Sequence, residues 1–192
     1  MPMRTNQSLL VFTIGHSTHP LEEFVAWLKA HGVEQLVDVR TMPRSRHNPQ
    51  FNGDTLPAKL RSRRIGYRHL KALGGLRHAK KDSINTGWRN ASFRGFADYM
   101  QTPAFDSALQ QLIELARKKQ IAIMCAEAVP WRCHRSLISD ALTIRGISVE
   151  HITGAKHRQP HKRTPFAQIE GDRLLYPAES TPDLPTLGHA LQ

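Results

Sequence analysis

A chain of 192 residues, 40% apolar and 22% charged, can bury one core and still leave length for an extended tail. Its apolar runs fall far short of the roughly 20 residues of a membrane helix, and Met1-Pro-Met-Arg-Thr-Asn-Gln-Ser8 leads into a run too short for a signal-peptide core. A helical membrane protein is excluded, and the expectation is a cytoplasmic protein whose two cysteines are thiols, metal ligands or a redox pair rather than a structural disulfide.

The net charge of +11 is unevenly spread. Between Arg40 and Lys81 stand twelve Lys and Arg against a single acid, Asp54, so this segment alone carries the whole excess. Such asymmetry points to an anionic partner, such as a nucleotide or nucleic acid; a solvated basic face without a ligand is the plainer explanation. Phe51 and Tyr67 lie among these cations and Trp88 just beyond them, and aromatics between cations can stack exposed bases, although Tyr67 suits a core position equally well. No helix-turn-helix, finger or RNA-recognition signature accompanies them.

In chain order, the apolar run Leu9–Ile14 predicts a first buried strand ending at Gly15, and Gly15-His-Ser-Thr-His-Pro20 a polar loop. Pro20 opens an amphipathic helix to about His31, stopped by Gly32. Strands are expected at 36–40 and, weakly, at 65–70, with a helix from Asp54 or Thr55 to Arg64 between them. Residues 73–90 lack periodicity and form a long loop. Helices follow at 93–100 and 103–119, then a strand at 121–126, a helix at 131–145 and a last strand at 149–152. Gln168–Tyr176 suits a small hairpin turning at Gly171-Asp172.

Strands alternating with helices imply an α/β fold. The expected form is a mostly parallel, roughly five-stranded sheet with helices on both faces, Rossmann-like or flavodoxin-like in its layering. It would span 8–153, followed by a C-terminal extension at 154–180 and a flexible tail at 181–192. Ligands of such sheets bind beyond the carboxyl ends of the strands. His16, Asp38, Arg40, Cys125 and Glu127 all fall at those ends.

The chain is organised around Ile121–Ser136, which holds both cysteines, eight positions apart. Cys125 and Glu127 face the same way on an extended backbone. With Pro130 as the first helical residue, Cys133 and His134 would lie one turn into the helix on its inward face, so two thiols, a carboxylate and an imidazole converge.

Several motifs resemble one family: Gly15-His-Ser-Thr18, Asp38-Val-Arg-x-x-Pro-x-Ser-Arg46, Pro49-x-Phe-Asn52, Leu73-Gly-Gly-x-Arg77, Cys125-x-Glu127 and Cys133-His-Arg135. Together they resemble the bacterial family catalogued as domain of unknown function 488, from about residue 10 to 152, with a weaker echo at 169–177. The resemblance implies a compact α/β domain and brings no stated activity. Its motif positions carry over as His16, Asp38, Arg40, Pro43, Ser45, Arg46, Cys125, Glu127, Cys133, His134 and Arg135.

Three chemistries suit this set. Cys125, Cys133, His134 and His16 are donors that zinc or iron would accept, although Cys-x-Glu-x5-Cys-His matches no standard zinc spacing. Cys125 at a strand end beside Arg132 and Arg135 suits a nucleophilic thiolate. A phosphatase loop does not fit, since Arg132 is one residue too far from Cys125 and Glu127 would repel an anion; a sulfurtransferase-like role suits the Asp38-Val-Arg40 strand end. A buried Glu127 with a raised pKa could serve as general acid or base, with His134 or His16 as the second group. Arg40, Arg44, Arg46, Arg77 and Arg135, with Ser45, are candidates to hold an anion, while Asp38 suits an ion pair with Arg40. The expectation is an enzyme of unassigned reaction acting on a phosphate-bearing substrate, with Cys125, Glu127 and His134 catalytic. A non-catalytic nucleic-acid-binding module using the 40–81 face competes with it.

Overall fold

Alternate residues of the central strands face opposite helical layers, and this alternation sets the architecture. The computed structural model describes residues 9–178, so the tail expected at 181–192 lies outside the described residues. The strands of the main sheet are β1 (Leu10–Gly15), β2 (Gln35–Asp38), β3 (Gly66–His69), β4 (Ile121–Cys125), β5 (Ser148–Gly154) and β6 (His157–Pro160). The helices are α1 (Leu21–Ala30), α2 (Leu56–Arg61), α3 (Ala91–Tyr99), α4 (Pro103–Lys118) and α5 (Arg135–Thr143). The sheet order is β3-β2-β4-β1-β5-β6; β1 to β5 run parallel and β6 is antiparallel to β5. A separate hairpin joins β7 (Gln168–Glu170) to β8 (Arg173–Leu175) across Gly171, whose φ of 61° suits the expected turn.

Val11, Ile123, Cys125 and Val149 point into a core shared with α3, α4 and α5. Phe12, Ile14, Ala122 and Met124 point into a second core under α1 and α2. β4 is buried along its whole length, as a two-sided central strand requires. The expected α/β fold with helices on both faces is therefore present. No helix among the described residues is long and apolar enough to cross a membrane.

Two expectations change. Among the described residues the main sheet has six strands, because His157-Arg-Gln-Pro160 adds an edge strand. All four of its residues are exposed, so it carries no hydrophobic signal, and Pro160 is tolerated at an edge. The helix expected over 131–145 begins at Arg135. Pro130 opens only a single 3-10 turn, after which Cys133 is extended at φ −135° and ψ 146°. The Cys133 sulfur accepts the Arg135 N–H at 3.5 Å, as a helix-capping side chain would. Cys133 and His134 thus precede α5 instead of lying one turn inside it.

The topology fixes where a ligand can bind. After β1 the chain crosses towards β2 through α1 on one face, and after β4 it crosses towards β5 through α5 on the other. β1 and β4 are neighbours, paired at Gly15 and Cys125. The crevice beyond their carboxyl ends is the switch point of the sheet.

Candidate functional site

A cavity of about 480 Å³ opens at that switch point, lined by His16, Arg40, Cys125, Glu127, Cys133 and His134 among others. Arg44, Ser45 and Arg132 contribute polar walls, and Met42, Leu76 and Phe93 apolar ones. Gly15 lets the β4 exit loop pass directly over β1, since a Cβ there would sit 1.9 Å from the Glu127 carbonyl oxygen.

Arg135 organises the floor. It is 1% exposed, and its guanidinium donates from Nε to Cys125 Sγ (2.9 Å), from NH1 to Thr13 Oγ1 (3.1 Å) and from NH2 to the Glu127 carbonyl (2.6 Å). Its backbone N–H donates to Cys133 Sγ, so one residue binds both sulfurs. His134 flanks Cys133 from the other side. Its Nε2–H donates to the Val39 carbonyl (3.0 Å), which leaves Nδ1 facing Cys133 Sγ at 3.5 Å. The Cys133 thiol lies well below the ordinary cysteine range. Burial opposes this, but it is overcome by a hydrogen bond from the Cys125 thiol, by the His134 bond and by the His134 and Arg135 charges. Cys125 is displaced upward by burial and by the Cys133 hydrogen bond and charge, against the pull of Arg135. Of the two neighbouring thiols, Cys133 is thus the one this environment favours as a thiolate.

His134 keeps this geometry because Gly75 carries no side chain: a Cβ there would lie 2.5 Å from His134 Nδ1. The ring, rather than backbone, would have to move. Gly75→Ala is expected to swing His134 away from Cys133 and to cost about 1–3 kcal/mol of stability through overpacking. Alkylation of Cys133 near pH 6 should slow about tenfold, one unit of lost pKa depression; an unchanged rate would show that His134 does not sustain the thiolate.

His16 lies across the cavity. Its Nδ1–H donates to the Ser17 carbonyl (2.8 Å) and its Nε2 accepts from Arg40 NH1 (3.2 Å), so the imidazole is neutral. Burial, aided by the Arg40 charge against the Ser17 bond, lowers its pKa to about 4. Asp38, fully buried, accepts from Arg40 Nε (2.9 Å) and NH2 (2.6 Å) and from the Tyr67 hydroxyl (2.7 Å). This is the ion pair the sequence suggests, and it leaves Arg40 little free charge for an anion.

The expected anion-binding residues therefore separate. Arg40, Arg44 and Ser45 line the cavity, with Arg132 beside them; Arg135 lies beneath the sulfurs and Asp38 behind Arg40. Arg46 is exposed and lies off the cavity. Arg77 also lies off it: it donates to the Gly74 and Ala72 carbonyls and sits 3.6 Å over the Tyr99 ring, tying the Gly74-Gly75 turn to α3. Glu127 lines the cavity but is exposed, not buried as expected.

Zinc or iron does not fit the expected ligands. Among the described residues, no group of three or more His, Cys, Asp and Glu side chains is placed to hold a metal ion. His16 has both ring nitrogens engaged, His134 has one nitrogen committed to Val39, and the Cys125 sulfur already accepts from Arg135. The aromatics of the basic segment are also committed inward. Phe51 is fully buried against His16 and Phe24, Tyr67 binds Asp38, and Trp88 packs on Phe93, Phe166 and Tyr176.

Sequence reasoning missed a buried chain behind Arg135. Because Arg135 donates to Thr13 Oγ1, the Thr13 hydroxyl donates onward to His151 Nδ1 (2.7 Å). His151 Nε2–H then donates to His161 Nδ1 (3.0 Å), and His161 Nε2–H to Asp140 Oδ1 (2.7 Å). Asp140 is capped by the Tyr176 hydroxyl (3.0 Å) and the Thr164 N–H (3.1 Å). Run in this direction, each bond of the chain carries one hydrogen. The His161 side chain is only 4% exposed. Half-buried His31 and His69 are bound to the Gly154 and Arg40 carbonyls. Thr13 and His151 were the available signal, two polar residues on inward positions of adjacent strands.

Comparison with curated proteins and with solved structures returned no match. Residues 20–142 match the sequence profile of the family described as Domain of unknown function DUF488, and the chain belongs to that family.

Proposed function

We propose that this chain is a cysteine-dependent enzyme in which Cys133 is the nucleophile and a small anionic molecule, of nucleotide size or less, is the substrate. The observation that carries the reading is the Cys133–His134 dyad at the floor of the switch-point cavity, with Arg135 bound to both sulfurs. A thiolate is the reactive form of cysteine, and a neighbouring imidazolium and guanidinium favour it. The nucleophile is thus Cys133 rather than Cys125, which was the expected one. His134 holds the proton that a leaving group takes, and its bond to Val39 fixes the ring for that transfer. Arg44 and Arg132 give the cavity wall positive charge, and Glu127 offers a carboxylate to orient a donor group or to relay a proton. A nucleic-acid-binding module has less support, because the rings that would stack bases are turned inward.

Competitive alkylation with iodoacetate and iodoacetamide, read by peptide mass spectrometry from pH 5 to 9, tests this reading. Cys133 is expected to react well below the pH of a free thiol, to prefer the anionic reagent relative to glutathione, and to become silent in Cys133→Ser. Labelling confined to Cys125, or a profile like that of a free cysteine, would overturn it.

A further inference from the structure

Cys125 has no use in a reaction that ends by hydrolysis. An acyl or phosphoryl group on Cys133 is released by water, and a second buried thiol in contact with the first adds nothing to that step. A sulfur-bound intermediate is different, because a mixed disulfide is released by another thiol attacking in line. The second thiol here shares Arg135 with the first, comes from the strand end rather than the same loop, and has the guanidinium 2.9 Å away.

Building on the reading of Cys133 as nucleophile, we propose that Cys125 is its resolving thiol and that the pair reduces a small anionic disulfide by two electrons. The Cys133 thiolate attacks one sulfur of R–S–S–R′. The substrate S–S bond breaks, a Cys133–S–S–R bond forms, and R′S⁻ leaves with the proton of the His134 imidazolium. Cys125 then attacks Cys133 Sγ, its own proton passing to the departing RS⁻. A Cys125–Cys133 disulfide forms and RSH is released. The substrate has gained two electrons and two protons, and the protein has lost a dithiol. A dithiol reductant restores the protein by the same exchange run in reverse.

The geometry also orders the steps. While Cys133 is a thiolate, its charge and hydrogen bond keep Cys125 protonated. Once Cys133 carries the mixed disulfide both influences vanish, and the Arg135 guanidinium on Cys125 Sγ remains to favour the second thiolate. Cys125 is activated only once it is needed. The third donor of Arg135, held by Thr13 and the histidine chain behind it, keeps the guanidinium in place through both steps.

The test uses dithiobis(nitrobenzoate), a dianionic aromatic disulfide, at a slight excess over the intact chain, with released thiol followed by absorbance and the protein by intact mass. Wild type is expected to release two thiol equivalents in two phases and to finish as an internal disulfide without adduct. Cys125→Ser is expected to release one equivalent and to keep the adduct on Cys133. Wild-type protein that retains a stable adduct would sink the resolving role while leaving Cys133 as nucleophile. A Cys133→Ser protein that reacts at the wild-type rate through Cys125 would instead sink the reading on which the proposal rests. Because the wild-type mass decides the first question alone, misfolding of a variant cannot rescue the idea.

Discussion

Arg135→Met is expected to lose about 3–5 kcal/mol of folding stability, the range for removing one partner of a buried charged pair. Arg135 is 1% exposed, and its fork is spent on three acceptors from three segments: Cys125 Sγ, Thr13 Oγ1 and the Glu127 carbonyl. Methionine fills similar volume but leaves the Glu127 carbonyl and the Cys125 sulfur without a donor in a dry interior. A chain of this size loses about 2–4 °C in Tm per kcal/mol, so a fall of about 10 °C in calorimetry is expected with it. Arg135→Lys is expected to fall between the two, since one ammonium is a point charge and cannot reproduce a planar fork. The second readout is chemical: without the guanidinium the Cys133 alkylation profile moves to higher pH. A loss below about 1 kcal/mol in Arg135→Met would mean that the network does not hold this end of α5.

The layered fold was legible because it follows from hydrophobic pattern. Ile121–Cys125 is apolar on both faces and is a central strand; Phe105, Leu109, Leu112 and Ala116 repeat at helical spacing and bury one face of α4. The convergence of Cys125, Cys133, His134 and His16 was legible for the same reason, because parallel strands align their carboxyl ends. What failed depends on contacts that no local pattern encodes. β6 exists because β5 offers it backbone hydrogen bonds, not because its own residues seek the core. α5 starts late because a sulfur captures the Arg135 N–H. The metal reading gains no support, because donors that converge in space are engaged by Arg40, Arg135 and Val39. Arg77 and Arg46 were chosen for charge, yet the first is tied to carbonyls and a ring and the second is exposed off the cavity lining. Charge in a sequence shows which residues can hold an anion; only the fold shows which of them are free to do so.

The second large effect is a loss of stability in mild acid, driven by His16 and His151. Both are neutral and buried. Burial and the Arg40 charge hold His16 at about 4, and burial with the neighbouring His161 and the Arg135 charge holds His151 at about 3. In the unfolded chain each returns to about 6.5. Below that value the unfolded state binds protons that the folded state refuses, so stability is fully present above about pH 6.5 and falls as the pH drops towards 4. Each imidazole contributes a slope of up to about 1.4 kcal/mol per pH unit, and the two together about 2.7 kcal/mol. Against a total stability of about 5–15 kcal/mol, two pH units are enough to bring unfolding within reach. Urea denaturation should therefore show, beyond the slope of up to about 1.4 kcal/mol per pH unit that the lowered Cys133 thiol gives between pH 7 and 8, an added steep fall from pH 6 to 4.5. His151→Gln, which keeps a side chain able to donate to His161, is expected to halve that slope although it weakens the chain at neutral pH. A free energy unchanged between pH 7 and pH 5 would mean that these rings accept protons in place. The histidine chain would then be a titrating element of the site, not the fixed brace that holds Arg135 against the two sulfurs.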